Sequence, residues 1–157
     1  MKVHVLVVGR PSRLLSEAVE EYEKRAARYW PLEVVEVREE RSGRNADPDR
    51  IRAAEGERLW ERVPSGVETV ALTRTGDALG SRELASWLQQ RAVAGHAGIA
   101  FVIGGALGLP DDVIARCTRS LRLSSMTLPH ELARLVLAEQ LYRAGTIVRN
   151  EPYHKGA

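Results

Sequence analysis

Apolar positions change period repeatedly along the chain, and the changes mark out elements. KVHVLVV, residues 2–8, is nearly all apolar, as in a strand buried on both faces. From Ser12, a potential cap, to about Tyr29, Leu15, Ala18, Val19, Tyr22 and Ala26 recur at helical spacing, with charges on the opposite face. Trp30-Pro31 ends that helix, and LEVVEVR, Leu32 to Arg38, reads as a second strand. A polar loop carries Arg38, Arg41 and Arg44, and Asp47-Pro48 opens a helix through Trp60 to Val63. VETVALT, Val67 to Thr73, is a third strand, Thr73 to Gly80 a loop, and Ser81 caps a helix with Leu84, Trp87, Leu88 and Ala92 on its apolar face. Ile99 to Ile103 is a short apolar strand ending in glycines; Asp111 and Asp112 start a short helix, and Ser120 to Ser124 form a last strand. The final helix, from Pro129 to about Val148, carries Leu132, Leu135, Val136, Ala138, Leu141 and Tyr142 around so much of its circumference that one face can hardly bury them. That points to a homodimer packed through this helix.

Strict alternation of strand and helix specifies an α/β fold, a mostly parallel sheet with helices on both faces. At 157 residues it is most economically one domain spanning 1–157. Apolar runs stop short of the roughly 18 residues of a membrane span, and the N-terminus lacks the small-residue cleavage site of a signal peptide. The single Cys117 forms no internal disulfide and builds no zinc site by itself. A cytoplasmic protein with no metal and no membrane partner is expected. Net charge is only +2, but residues 91–157 carry 8 bases and 5 acids against 15 and 16 in residues 1–90. The small basic excess therefore lies in the half with the glycines and the tail, which is compatible with RNA binding.

Two stretches carry candidate chemistry. FVIGGALGLP, Phe101 to Pro110, is a strand that breaks into Gly104, Gly105 and Gly108, where backbone can approach a ligand without Cβ atoms between. IGGALG has neither the spacing of a dinucleotide fingerprint nor the lysine of a phosphate-binding loop, and alone it is as readily a turn. Followed by SSMTLPHE at the end of the next strand, it describes a small-molecule pocket at the edge of an α/β sheet. No acid pair, Ser/His/Asp set or metal-ligand spacing lies nearby, which suits a reaction that needs mainly the alignment of two substrates. His4 reads as structural, His96 as a loop residue and His130 as a local cap partner. His154 differs, because Tyr153-His154-Lys155 places an aromatic, an imidazole and a cation together behind the stiffening Pro152, a plausible clamp for an unstacked RNA base.

VIGGALGL, LSSMTLPHELARLVLAEQLYRA and the terminal NEPYHK, with the KVHVLVVG start and the EYEKR helix, closely resemble the RlmH family of ribosomal RNA methyltransferases, small members of the SPOUT superfamily. The resemblance spans the whole chain; one departure is Ala106-Leu107, where many relatives carry a proline–glutamate or serine–asparagine pair. It implies a C-terminal trefoil knot, a homodimer, S-adenosylmethionine as cofactor, and methylation of N3 of a pseudouridine in large-subunit ribosomal RNA on the assembled ribosome. By position it implies cofactor contacts at Leu72, Gly104, Gly105, Gly108, Ser124, Ser125, Met126, Thr127, Leu128 and Pro129, and substrate contacts at Arg143, Tyr153, His154 and Lys155. His154 is then expected to assist as base or orienter, with Arg143 or Lys155 stabilising the developing charge. Glu139 is expected to pair with Arg143 at i,i+4. Two alternatives stay open on the residues: a noncatalytic dimeric module that docks on the ribosome, and a SPOUT enzyme acting on another RNA.

Overall fold

The computed structural model describes residues 1–156. Five strands, β1 (Lys2–Val8), β2 (Leu32–Val37), β3 (Glu68–Ala78), β4 (Gly98–Ile103) and β5 (Arg119–Arg122), alternate with α1 (Arg13–Ala26), α2 (Pro48–Trp60), α3 (Ser81–Val93), α4 (Asp111–Arg116) and α5 (His130–Val148). The sheet order is β2-β1-β4-β3-β5 and every pairing is parallel. The alternation of side chains along each strand feeds two cores. Val3, Val5 and Val7 of β1 and Ile99, Phe101 and Ile103 of β4 face α1, α3 and α5. Leu6, Val8 and Val102 face Leu59 of α2 and Val113 of α4. β4, which ends in the glycines, is buried along its whole length at the centre of the sheet.

Three local expectations change. Glycine rather than Ser81 caps α3: the Gly80 N–H donates to the Glu83 carboxylate at 2.6 Å, and Ser81 is the first helical residue. The stretch after Thr73 is not simply a loop, because Asp77 and Ala78 rejoin the ladder. Leu72 and Asp77 both pair with Leu121, so the residues between them leave the ladder and return to it. Gly76 makes this return possible, since a Cβ there would lie 2.6 Å from Leu121 backbone. The apolar circumference of α5 also has a cover within the chain. Helices α1 and α3 flank it, burying Leu137, Ala138, Leu141 and Ala144, while Leu132 stays 36% exposed.

A buried ion cluster locks α5 to its neighbours. Arg134, 6% exposed, donates from Nε and Nη2 to the two carboxylate oxygens of Glu23 on α1 at 2.7 and 3.2 Å, and its Nη1 lies 3.5 Å from Glu36 on β2. Taking away one partner strands the remaining charges in low dielectric. Arg134→Leu is therefore expected to lower stability by about 3 kcal/mol, measured by urea unfolding.

Candidate active site

Residues of β3, β4 and β5 meet the middle of α5, at Val136, Leu137 and Gln140, near the edge at which open α/β sheets hold ligands. The turn after β4 is compact. Gly108 takes a φ of +82°, and its N–H donates to the Gly105 carbonyl at 3.0 Å. A Cβ on Gly104 would lie 2.5 Å from the Gly108 carbonyl carbon and 2.7 Å from Leu109 N. One on Gly105 would meet the Glu55 carboxylate at 2.8 Å. Ala106 and Leu107 are exposed at the tip of this turn.

On the face of the sheet covered by α3 and α5, a cavity of about 190 Å³ is lined by Leu72 and Leu79 of the β3–α3 region, Leu84, Phe101, Leu121 to Leu123, and Gln140 of α5. Its walls are mostly apolar, with Ser81, Arg122 and Gln140 as polar groups. Of the residues expected to hold a cofactor, Leu72 lines this cavity, whereas Gly104, Gly105 and Gly108 form the turn packed against Val8, Glu55 and Leu109. Ser124, Ser125, Met126, Thr127, Leu128 and Pro129 continue directly from the Leu121–Leu123 wall to α5. That segment is open to solvent, with Met126 77% exposed, and the Ser124 hydroxyl accepts the Met126 N–H at 2.9 Å.

The tail folds back along α5. Tyr153 stacks at 4.5 Å between ring centroids on Tyr142 and donates its hydroxyl to Glu139 Oε1 at 3.0 Å. Burial, followed by its bonds to Tyr22 and Glu139, pushes the Tyr153 phenol well above its usual range, so it stays a neutral donor. The Arg143 guanidinium lies 4.9 Å over the Tyr153 ring, donates to Glu139 Oε1 from Nε at 3.0 Å, and has Nη1 3.2 Å from His154 Nδ1. The anticipated pairing of Glu139 with Arg143 at i,i+4 is present. Because a guanidinium only donates, Nδ1 must accept. The neutral ring then carries its proton on Nε2, which is buried with no hydrogen-bond partner. Lys155 is exposed. The structure thus gathers Arg143, Tyr153 and His154 at one place on α5.

Sequence reading missed Gln140, Ser81 and Glu55. Gln140 had a signal, a polar side chain next to the apolar positions Leu137 and Leu141. Glu55 had a clearer one: it stands at the middle of Ile51, Glu55 and Leu59, an i,i+4,i+8 row that is otherwise apolar. Its carboxylate is 5% exposed and accepts the Glu40 N–H at 3.2 Å. Burial is the main cause that raises its pKa above the ordinary glutamate value, the Glu40 N–H opposing it. The folded state therefore favours the protonated acid, a contribution present at low pH and lost as pH rises through the shifted value. Glu55→Gln keeps an acceptor oxygen without the charge. Its melting temperature should exceed the wild type's most at pH 7, and the gap should close towards about pH 4; a gap independent of pH would contradict the assignment.

The family described as "Predicted SPOUT methyltransferase" matches residues 1–154. Among relatives named ribosomal RNA large subunit methyltransferase H, that of Gemmatimonas aurantiaca is 51% identical over 99% of this chain and 100% of its own length. That of Syntrophotalea carbinolica is 46% identical over 98% of this chain and 99% of its own. Solved structures share the fold. A "probable methylase family protein" of Haemophilus influenzae Rd KW20 covers 98% of this chain with 70% of its own, at a TM-score of 0.52 and 16% identity. A "Probable Methyltransferase" of Bordetella pertussis Tohama I covers 91% of this chain with 95% of its own, at 0.53 and 22% identity. With an alternating α/β chain, a glycine turn that excludes side chains and a family match from end to end, the protein belongs to the SPOUT methyltransferases.

Proposed function

We propose that this chain uses S-adenosylmethionine to methylate N3 of a pseudouridine in large-subunit ribosomal RNA on the assembled ribosome, in the cytoplasm and as a homodimer. The observation that carries the reading is the juxtaposition of the apolar cavity at the ends of β3 and β5 with a tail docked along α5, since Gln140 of the cavity wall neighbours Glu139 beneath the tail. The names of the relatives support the substrate class. The exposed Leu14 and Leu132 support a second copy, because the Ser12 N–H bond to Glu131 at 2.9 Å brings the starts of α1 and α5 together and both leucines lie there. The trefoil knot and the single domain over residues 1–157 belong to the same reading. A close backbone crossing supports the knot: Gly76 lies against Ser120–Leu121.

The residues present fit the cofactor. Leucines and Phe101 offer an apolar slot of the kind an adenine ring needs. Leu72, Gly104, Gly105, Gly108 and Ser124 to Pro129 would hold it. When bound, S-adenosylmethionine supplies an electrophilic methyl group for a direct displacement, so no covalent enzyme intermediate is needed. The chain's own work is alignment and charge. Tyr153 offers a ring face to the target base, and Arg143 and Lys155 place cations beside the charge that develops as the imide passes its proton to water. With Nδ1 engaged by Arg143, Nε2 is the ring nitrogen left to donate, so once the tail shifts to uncover that buried atom His154 orients a base carbonyl, which favours the orienting role over the basic one.

Nucleoside analysis of unmodified ribosomes incubated with the protein and S-adenosylmethionine tests this directly. N3-methylpseudouridine in large-subunit RNA is expected. A methyl group elsewhere on that RNA, or only on transfer RNA, would overturn the substrate assignment.

A further inference from the structure

A continuous chain of hydrogen bonds runs from the cavity wall to the tail. The Ser81 hydroxyl, on the cavity wall, donates to Gln140 Oε1 at 2.6 Å. The Gln140 amide, on the same wall, donates from Nε2 to Glu139 Oε2 at 2.6 Å. Glu139 Oε1 then accepts from Arg143 Nε and from the Tyr153 hydroxyl, each at 3.0 Å, and Arg143 reaches His154. One carboxylate thus spends one oxygen on the cavity side and the other on the tail. The Glu139 and Arg143 side chains are only 19% and 25% exposed, so water competes weakly for these bonds.

We propose that Gln140 and Glu139 form a positioning relay through which occupation of the cavity and docking of the tail stabilise one another. The relay rests on the reading of the cavity as the S-adenosylmethionine site. Filling the cavity restricts the Gln140 amide, which fixes the Glu139 carboxylate, which in turn holds Arg143 and Tyr153. Linkage makes the effect reciprocal: whatever the tail gains from the cofactor, the cofactor gains from the tail. An isosteric but non-bonding side chain at 140 cuts the relay while keeping the bulk of the wall. An amide at 139 cuts it differently, because its single acceptor oxygen serves the tail or Gln140 but not both.

The test is a thermodynamic cycle by calorimetry with S-adenosylmethionine, using full-length protein, the chain truncated after Pro152, Gln140→Met, and Gln140→Met with the truncation. Truncation is expected to weaken binding by about fivefold or more in the otherwise native chain and by less than about twofold in the Gln140→Met background. Equal effects in the two backgrounds, or none in the native one, would overturn the relay. Should Gln140→Met fail to fold, Glu139→Gln completes the same cycle. Amide hydrogen exchange supplies a second readout, since adding S-adenosylmethionine should slow exchange at residues 153–156 in the native chain and not in Gln140→Met. Failure of the folded native chain to bind S-adenosylmethionine at all would instead strike at the cofactor reading, so the two failures are told apart.

Discussion

Gly104→Ala is expected to remove measurable methyl transfer and to lower stability by about 3 kcal/mol, at the upper end of overpacking costs. The added Cβ would sit 2.5 Å from the Gly108 carbonyl carbon, 2.7 Å from Leu109 N and 2.8 Å from the Gly108 carbonyl oxygen. All three are backbone atoms, so no side-chain rotation relieves the clash, and the turn itself must open. Because β4 leads from Phe101 on the cavity wall directly into that turn, the loss should show in S-adenosylmethionine affinity as well as in urea unfolding. Gly108→Ala is the control. Nothing lies within 4 Å of its would-be Cβ, and only its φ of +82° is strained. It should cost only about 1 kcal/mol of stability. Similar behaviour of the two variants would mean that the close crossing at Gly104 is not what shapes the site.

Arg143→Ala is expected to lower kcat by at least about a hundredfold, the scale for losing one positioned charge donor at a reacting centre, while lowering stability by about 1–3 kcal/mol, since it leaves the partly buried Glu139 carboxylate without its cation. The guanidinium engages Glu139, the Tyr153 ring and His154 Nδ1 at once, so its removal frees the whole tail. Arg143→Lys should rescue little, because an ammonium has no planar fork to reach two partners in fixed directions. Single-turnover kinetics on ribosomes separates this from a binding defect. A variant with native kcat and a raised KM would make Arg143 a docking residue only.

Much of the fold was legible because its signals are local. Val3, Val5 and Val7 against Leu6 and Val8 announce a strand buried on both sides, and the structure buries both sets. Asp47-Pro48 announces a helix start, and the Asp47 carboxylate does accept the Asp49 N–H at 3.0 Å. The return of β3 onto β5 at Asp77 was not legible, because what permits it is a backbone crossing at Gly76, a contact between residues far apart in sequence. For the same reason the cover that α1 and α3 give to α5 was not legible in its apolar circumference.

The candidate site divides along the same line. Gly104, Gly105 and Gly108 stand out in any reading of the chain, as does the Tyr153-His154-Lys155 tail. That the tail folds back so that Arg143 takes the Nδ1 lone pair of His154 depends on three-dimensional placement, and it changes the reading of the histidine from base or orienter towards hydrogen-bond donor. Gln140 and Ser81 were passed over because a helix glutamine and a helix-start serine are ordinary on a surface; only their meeting at 2.6 Å on a cavity wall gives them a role.

The measurement that bears most directly on the central claim is transfer of labelled methyl from S-adenosylmethionine to unmodified ribosomes, separated subunits and naked ribosomal RNA, by the full-length protein and by the chain truncated after Pro152. Label on large-subunit RNA of assembled ribosomes, lost on truncation, is the predicted result. No label on any substrate by a folded protein would contradict it.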